Sequence, residues 1–242
     1  MKCPGQDSRF WKKDAIFEVK CPKCGNEVEF FKDDTMRKCP NCGHKFLNPR
    51  MNFGCAVYCP YAEQCLGSLP EELASQRENM LKDRVAVEMK KTFGKDFKRI
   101  GHAMRVARYA EKIAREENGD LPVVLISAYL HDIGIVEAER KYNSSAPKYQ
   151  EQEGPPLARK ILERLGANEK LIKEVCDIIS HHHHPKEKET LNFKCLYDAD
   201  LLVNLEEIVK KKKTDKEKLE KVIEKKFFTN TGKKLAKEIL LK

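Results

Sequence analysis

The placement of the cysteines constrains this chain more than any other feature. Eight of its ten cysteines fall within the first 65 residues: Cys3, Cys21, Cys24, Cys39, Cys42, Cys55, Cys59 and Cys65. Only Cys176 and Cys195 lie beyond. The opening Met1-Lys2-Cys3-Pro4-Gly5 has no apolar signal segment, so secretion is not expected and the location is expected to be cytoplasmic. In that setting a cysteine cluster reads as metal binding rather than as disulfides.

Within the cluster, Cys21-Pro22-Lys23-Cys24-Gly25 and Cys39-Pro40-Asn41-Cys42-Gly43 form two matching knuckles 14 residues apart. Each two-residue spacer lets a tight turn aim both sulfurs at one ion. The glycine that follows can take the positive φ such a turn needs. Four thiolates suit a tetrahedral zinc, and the pattern resembles a zinc ribbon. Rubredoxin-like iron is the competing occupant. A closed four-cysteine site leaves no open position for chemistry, so its expected role is structural or in recognition. Cys3, Cys55, Cys59 and Cys65 make a second set of four. Their spacing does not match a zinc knuckle, and the expected occupant is an Fe–S cluster or a second zinc.

Beyond the cysteines the chain changes character. Ala15–Val19 and Val28–Phe31 suit strands. Leu69, Leu73, Leu81, Val85, Met89 and Phe93 then recur at multiples of four, which predicts a helix closed by Gly94. From Asp96 onward the pattern is helical: Phe97–Glu117, a buried Leu121–Ile133, a polar loop over Glu137–Gln152, a helix from Pro155 to Leu165, then Glu169–His183, Leu191–Val209, Lys216–Phe228 and Lys233–Leu241. The division expected is residues 1–67 as a cysteine-rich module, 68–95 as a connecting helix and 96–242 as a helical domain. Apolar residues make up 40% and charged residues 35% of the chain, and no run approaches the about 20 apolar residues of a membrane helix. The net charge of +9 gathers at the end, with 13 lysines against seven acids over residues 205–242. Apart from the adjacent Phe227 and Phe228, no aromatic residues interleave with those lysines, so a solvated helix face is favoured over a nucleic-acid contact.

Three features of the helical region carry chemistry. His102 shares a stripe with Val106, Tyr109 and Ile113, and so points inward. Leu130-His131-Asp132-Ile133-Gly134 joins two donors that a regular helix would hold about 100° apart. A helix ending at Gly134 can turn both onto one ion. Tyr197-Asp198-Ala199-Asp200-Leu201-Leu202-Val203-Asn204 puts acids in an apolar helix, with Asp200 and Asn204 on one face. A buried carboxylate needs a cation. Two histidines and two aspartates in apolar settings suit octahedral Mn²⁺, Mg²⁺, Fe²⁺, Co²⁺ or Ni²⁺ with open positions.

His102, His131-Asp132 and Asp200 resemble the H…HD…D signature of the HD phosphohydrolase superfamily over roughly residues 97–209. The fold class this implies is mainly α: an HD-type helical bundle carrying a small, β-rich, zinc-ribbon-like N-terminal module. The resemblance implies His102, His131, Asp132 and Asp200 as metal ligands, with Asp198 as the rival for the last place. It implies hydrolysis of a nucleotide or other small phosphate monoester or diester by metal-activated water. Asp198, His181 or His182 is expected to relay the proton, and Lys98, Arg99, Arg105 and Asn204 to meet the substrate. The His181–His184 run matches the place where some HD proteins bind a second metal or a phosphate, through His181 or His182. The segment Gln150–Pro155 departs from two-metal relatives, which carry a further histidine there; Glu153 is the substitute ligand, or the second metal is absent. Two other readings stand beside this one. One is a metal- or redox-responsive, nucleic-acid-associated sensor with a non-catalytic HD domain. The other is a two-iron HD oxygenase.

Overall fold

The computed structural model describes residues 16–51, 56, 62, 64, 71–211 and 215–241. These fall into two compact units that divide between Arg77 and Glu78. The architecture is mainly α with a small β-rich N-terminal part.

The first unit is two hairpins. Strands β1 (Ile16–Lys20) and β2 (Glu27–Phe31) pair antiparallel from Ile16 opposite Phe31 to Lys20 opposite Glu27. Strands β3 (Met36–Lys38) and β4 (Lys45–Leu47) form the second pair. Alternation buries Phe17, Val28 and Phe30, and the Phe30 ring packs 6.0 Å from Phe17 and edge-on to Phe46 at 5.2 Å. Buried Asn48 links the hairpins: its amide donates to the carbonyls of Phe31 and Asp34. The sequence predicts β1 and β2. It does not predict β3 and β4, which are three residues long each and half basic in their side chains.

The second unit is helical. Helix α1 (Glu71–Phe93) begins before the division at residue 78, and beyond it buries Leu81, Val85, Met89 and Phe93, as its four-residue repeat predicts; Leu69 of that repeat lies outside the described residues. Arg84 and Glu88 of α1 reach the end of α5 (Pro147–Leu165) through the Leu165 carbonyl and Arg164. Helix α2 (Phe97–Glu117) is capped by Asp96 and closed by Asn118 in the left-handed conformation. Helix α3 (Leu121–Leu130) is capped by Asp120 and is apolar on nearly every side, as a core helix should be. Helices α4 (Ile135–Tyr142), α6 (Glu169–Ile179), α7 (Leu191–Lys211), α8 (Lys216–Lys226) and α9 (Asn230–Leu240) complete it. Helix α2 packs on α3 and α7, α3 packs on α6 and α7, and α5 packs on α4 and α6. By composition Leu121–Tyr142 passes as a membrane span, with mean hydropathy 1.5 over its best window, but that window is 67% buried and the segment turns at residues 131–134.

Four expectations need correcting. Helix α3 stops at Leu130, not Ile133, and α6 stops at Ile179, not His183. The stretch read as a polar loop contains α4, whose short apolar face is only Ile135 and Ala138. Helix α5 starts at Pro147, so Pro155 and Pro156 lie inside it rather than at its start. Interior prolines cost a helix its i→i−4 bonds; burial of Gln150, Glu153 and Gly154 on one side and Ala158, Ile161 and Leu162 on the other offsets that cost.

The close contact that sets this geometry is between Gly134 and α5. A Cβ on Gly134 would lie 2.3 Å from the Gln150 carbonyl and 2.6 Å from the Gly154 nitrogen. Gly134 has φ −65°, so its glycine is required by space and not by backbone angle. Gly134→Ala should therefore destabilise the helical unit by roughly 1–3 kcal/mol, read as a lower urea midpoint; an unchanged midpoint would show that α4 and α5 part at no cost.

Candidate metal centre

In the first unit the two knuckles are built alike. Cys21 N–H donates to Asn26 O at 2.8 Å and Cys39 N–H to His44 O at 2.8 Å, while Gly25 and Gly43 sit at φ 72° and 71°. The four sulfurs converge, with Cys21–Cys42 at 3.7 Å and Cys24–Cys39 at 3.6 Å. Those distances are far too long for disulfides. A tetrahedral ion with about 2.3 Å bonds to sulfur needs them about 3.8 Å apart. The electrostatics agree. The Asn26 amide leads in lowering the Cys24 thiol to about 6. At Cys42 the His44 amide pulls down, but desolvation and the neighbouring sulfurs outweigh it and push the thiol up to about 12. Four thiolates this close need a cation. Cys3, Cys55, Cys59 and Cys65 lie outside the described residues.

In the second unit the donors meet where three helices converge. Helix α3 ends at Leu130, and residues 131–134 turn, so His131 and Asp132 reach the same space although they are adjacent. His102 projects from the middle of α2 and Asp200 from α7. His102 Nε2 is 2.9 Å from Asp200 Oδ1 and 3.8 Å from Asp132 Oδ2. His131 Nε2 is 3.3 Å from Asp132 Oδ2 and 3.7 Å from Asp200 Oδ1. On the other side of Asp132, His182 Nε2 lies 3.7 Å from Oδ1. The donors thus form two sets, His102–His131–Asp200 and Asp132–His182–His183, with the Asp132 carboxylate facing both.

The fit to a cation shows in two buried atoms. His131 Nε2 and His182 Nε2 are fully buried and have no hydrogen-bond partner among the described residues. Each ring is fixed by its other nitrogen, Nδ1, which stands 2.9 Å from the carbonyl of Ala128 or Ile179. With Nδ1–H donating there, each Nε2 is turned toward the carboxylates, the nitrogen a metal would take once any proton on it is released. Charge points the same way. Burial favours a neutral His131, but Asp132 and Asp200 outweigh it and raise the imidazole to about 9. Burial opposes ionisation of Asp132, yet His131 and His182 hold it well below the usual carboxylate range. Asp200 is lowered too: burial opposes, and the His102 contact prevails. His183 moves the other way, lowered to about 4 by burial and by His182.

Other candidates lie elsewhere. Asp198 is fully buried and turned away, accepting from the amides of Phe228 (2.9 Å) and Thr229 (2.8 Å) and from the Thr229 hydroxyl (2.7 Å). Burial, only partly countered by these donors, raises it to about 6. The expectation that Asp198 relays protons or binds metal is corrected: it anchors the start of α9. His181 is likewise turned away, stacked 4.8 Å from Phe193 with Nε2 3.1 Å from Glu189. Glu153 is no substitute ligand, since it pairs with Lys141 and the Tyr142 hydroxyl. Lys98, Arg99 and Asn204 do line an open cleft of about 230 Å³ together with His102, Asp132, Ile135, Gln150, His183, Asp200 and Glu207. Arg99 is already engaged by Glu139 at 3.0 Å and Asp96 at 3.1 Å. Asn204 donates to Asp200 Oδ2 at 3.0 Å. Arg105 is not among the lining residues; its guanidinium holds Glu207. The sequence reading undervalues His183 and misses Gln150 and Glu207. Glu207 was findable, because it falls seven residues after Asp200 on the same stripe.

The HD domain family model matches residues 99–205. The solved structures most like the chain include one described as a predicted HD superfamily hydrolase from an uncultured Thermotogales bacterium. It is 25% identical over 66% of this chain and 83% of that one, with a TM-score of 0.48. YpgQ of Bacillus subtilis is 21% identical over 68% of this chain and 88% of its own, at TM-score 0.50. The same protein in complex with ADP gives 22%, 68% and 89%, also at 0.50. The YpgQ likeness speaks for the fold of the HD domain. No curated protein matches the chain.

The charge at His131 makes a prediction. Without an ion its pKa near 9 keeps a proton on the ring at pH 7, and a ligating nitrogen must lose it. Divalent-metal binding at pH 7 should therefore release about one proton per ion from this residue and tighten as pH rises toward 9, by up to about tenfold per unit. Calorimetry in buffers of different ionisation enthalpy reads the release directly; a binding enthalpy indifferent to buffer would exclude it.

Proposed function

We propose that the HD domain is a metal-dependent phosphohydrolase acting on a small phosphate ester, with nucleotides the first class to try. The observation that carries this reading is the pair of orphaned imidazole nitrogens converging with Asp132 and Asp200 beside an open cleft. His102, His131 and Asp200 would hold one divalent ion and His182 and His183 a second, with Asp132 between them. The chemistry such ions supply is polarisation of a phosphoryl oxygen and activation of water.

The protein's own groups do the rest. Lys98 is exposed at the cleft, with no ion pair among the described residues, and is the cation free to meet a phosphate oxygen. Arg99 is held in place by Glu139 and offers only its unengaged edge. Asn204 fixes the Asp200 carboxylate and so its direction. Asp198 and His181 are removed from proton transfer by position. A cleft of about 230 Å³ is smaller than the roughly 300–1,000 Å³ that encloses a whole small ligand. The phosphate end enters, and the rest of the ester lies across the mouth. That YpgQ has been seen with ADP supports nucleoside phosphates as candidates. The four-cysteine site is proposed to hold structural zinc.

The test is phosphate release from a panel of nucleotides and simple phosphate esters with Mn²⁺, Co²⁺, Ni²⁺ or Mg²⁺. His131→Ala should abolish turnover. Lys98→Ala should lower kcat/KM roughly 10–100-fold, the worth of one charged hydrogen bond, chiefly through KM. Silence of the folded, metal-loaded chain across the panel, with two irons bound beside Asp132, would shift the reading to the oxygenase.

Metal analysis tests the other centre. Cys24→Ser should lose about one zinc per chain while leaving divalent-ion binding at the HD site unchanged; full zinc content in that variant would remove the four-cysteine assignment.

A further inference from the structure

We infer that Glu207 is the positioning residue for His102, clamped for that task by Arg105. The inference rests on the reading that the HD site holds a divalent ion. It begins from a difference among three histidines. His131 and His182 stand just past the ends of α3 and α6, and each orients its ring against a main-chain carbonyl three residues back, Ala128 and Ile179, at 2.9 Å. His102 has no such recourse. It lies inside α2, where the carbonyls behind it serve the helix's own bonds.

The ring of His102 points Nε2 at the donor set, 2.9 Å from Asp200. When Nε2 gives its lone pair to an ion, the single ring proton must sit on Nδ1 and needs an acceptor. Nδ1 faces Glu207 Oε1, 3.8 Å away on the opposite side of the ring. A small side-chain rotation closes that gap to a hydrogen bond. From that position Glu207 cannot itself ligate the ion that Nε2 faces. Its carboxylate is held by the Arg105 guanidinium, three residues beyond His102 on α2. A carboxylate on the far nitrogen of a ligating histidine fixes its tautomer and orientation and raises its basicity; losing such a partner typically costs 10–100-fold in metal affinity. The cationic residue that the sequence offered to substrate thus serves the ligand shell.

The experiment titrates the full chain, freed of exchangeable metal, with Mn²⁺ and follows the free ion by electron paramagnetic resonance. Glu207→Ala should weaken Mn²⁺ binding roughly 10–100-fold, with the melting temperature of the metal-free protein unchanged. Glu207→Gln retains an accepting carbonyl and should lose less. Arg105→Ala should shift in the same direction by a smaller factor. If Glu207→Ala binds Mn²⁺ as tightly as the wild type, or alters only KM, Glu207 serves substrate and the inference is overturned. A loss of affinity matched by a lowered melting temperature overturns it as well, because a merely structural residue gives that result. A wild-type chain that takes up no Mn²⁺ fails the metal reading itself, which separates the two failures.

Discussion

Asp132, Asp200 and His131 meet where three helices converge, and bringing such buried charges together costs several kcal/mol per ion unless opposite charge meets them. The surrounding structure is arranged around that meeting. Helix α3 gives up a turn so that two adjacent donors can face one space, and Gly134 brings the next helix against α5 closely enough to seat the histidine-bearing turn after α6 beside it. The orphaned nitrogens of His131 and His182 are the cost that remains when no ion is counted. A core built for stability alone would have filled those places with leucine, since well-packed apolar residues often equal or exceed a buried ion pair.

Asp198 and Asp200 show how one helix serves two purposes. Two residues on an α-helix are about 200° apart, so the acids face opposite sides of α7. Asp200 looks into the cleft. Asp198 looks into the core and ties the start of α9, where the Thr229 hydroxyl donates to it while accepting from the Gly232 amide. The C-terminal helix is thereby pinned to the helix that carries a ligand. Desolvation lifts Asp198 to about 6 against the usual carboxylate value. Its ionised form, held by three donors, thus stabilises the fold less than its contacts suggest.

Much of this was legible in the sequence, and what was not has physical causes. His102 sits on a helix with a clear 3.6-residue period, and Asp200 shares a face with Asn204 four residues on, so their faces could be assigned. The paired knuckles announced their own geometry through spacing. The His181–His184 run misled because its meaning depends on where α6 stops. Continued as a helix, it would not place His182 and His183 together at the site; turned at Ser180, it does. Asp198 misled because a buried acid in an apolar helix needs a partner, and its partner is a set of backbone amides 30 residues on rather than a cation. Pro155 and Pro156 signalled a helix start by local rule, and tertiary burial overrode the rule. The four remaining N-terminal cysteines lie outside the described residues, and their pairing rests on spacing alone.

The charges around the cleft account for what it can attract. Arg99 is spoken for by Glu139 and Asp96, and Arg105 by Glu207, so neither brings a free positive charge to the opening. The carboxylates of Asp132 and Asp200 would repel an anionic ester if they stood alone. An ion among them reverses the sign of the field at the cleft floor, and Lys98 adds the free charge at its rim. On the proposed reading, affinity for phosphate and occupancy by metal would therefore be one property of this site. In the absence of metal the proton on His131 is a counter-charge on the floor that answers two carboxylates, Asp132 and Asp200. Substrate binding should accordingly depend on the metal before chemistry does, because the phosphate recognises a charge that the protein side chains alone do not supply.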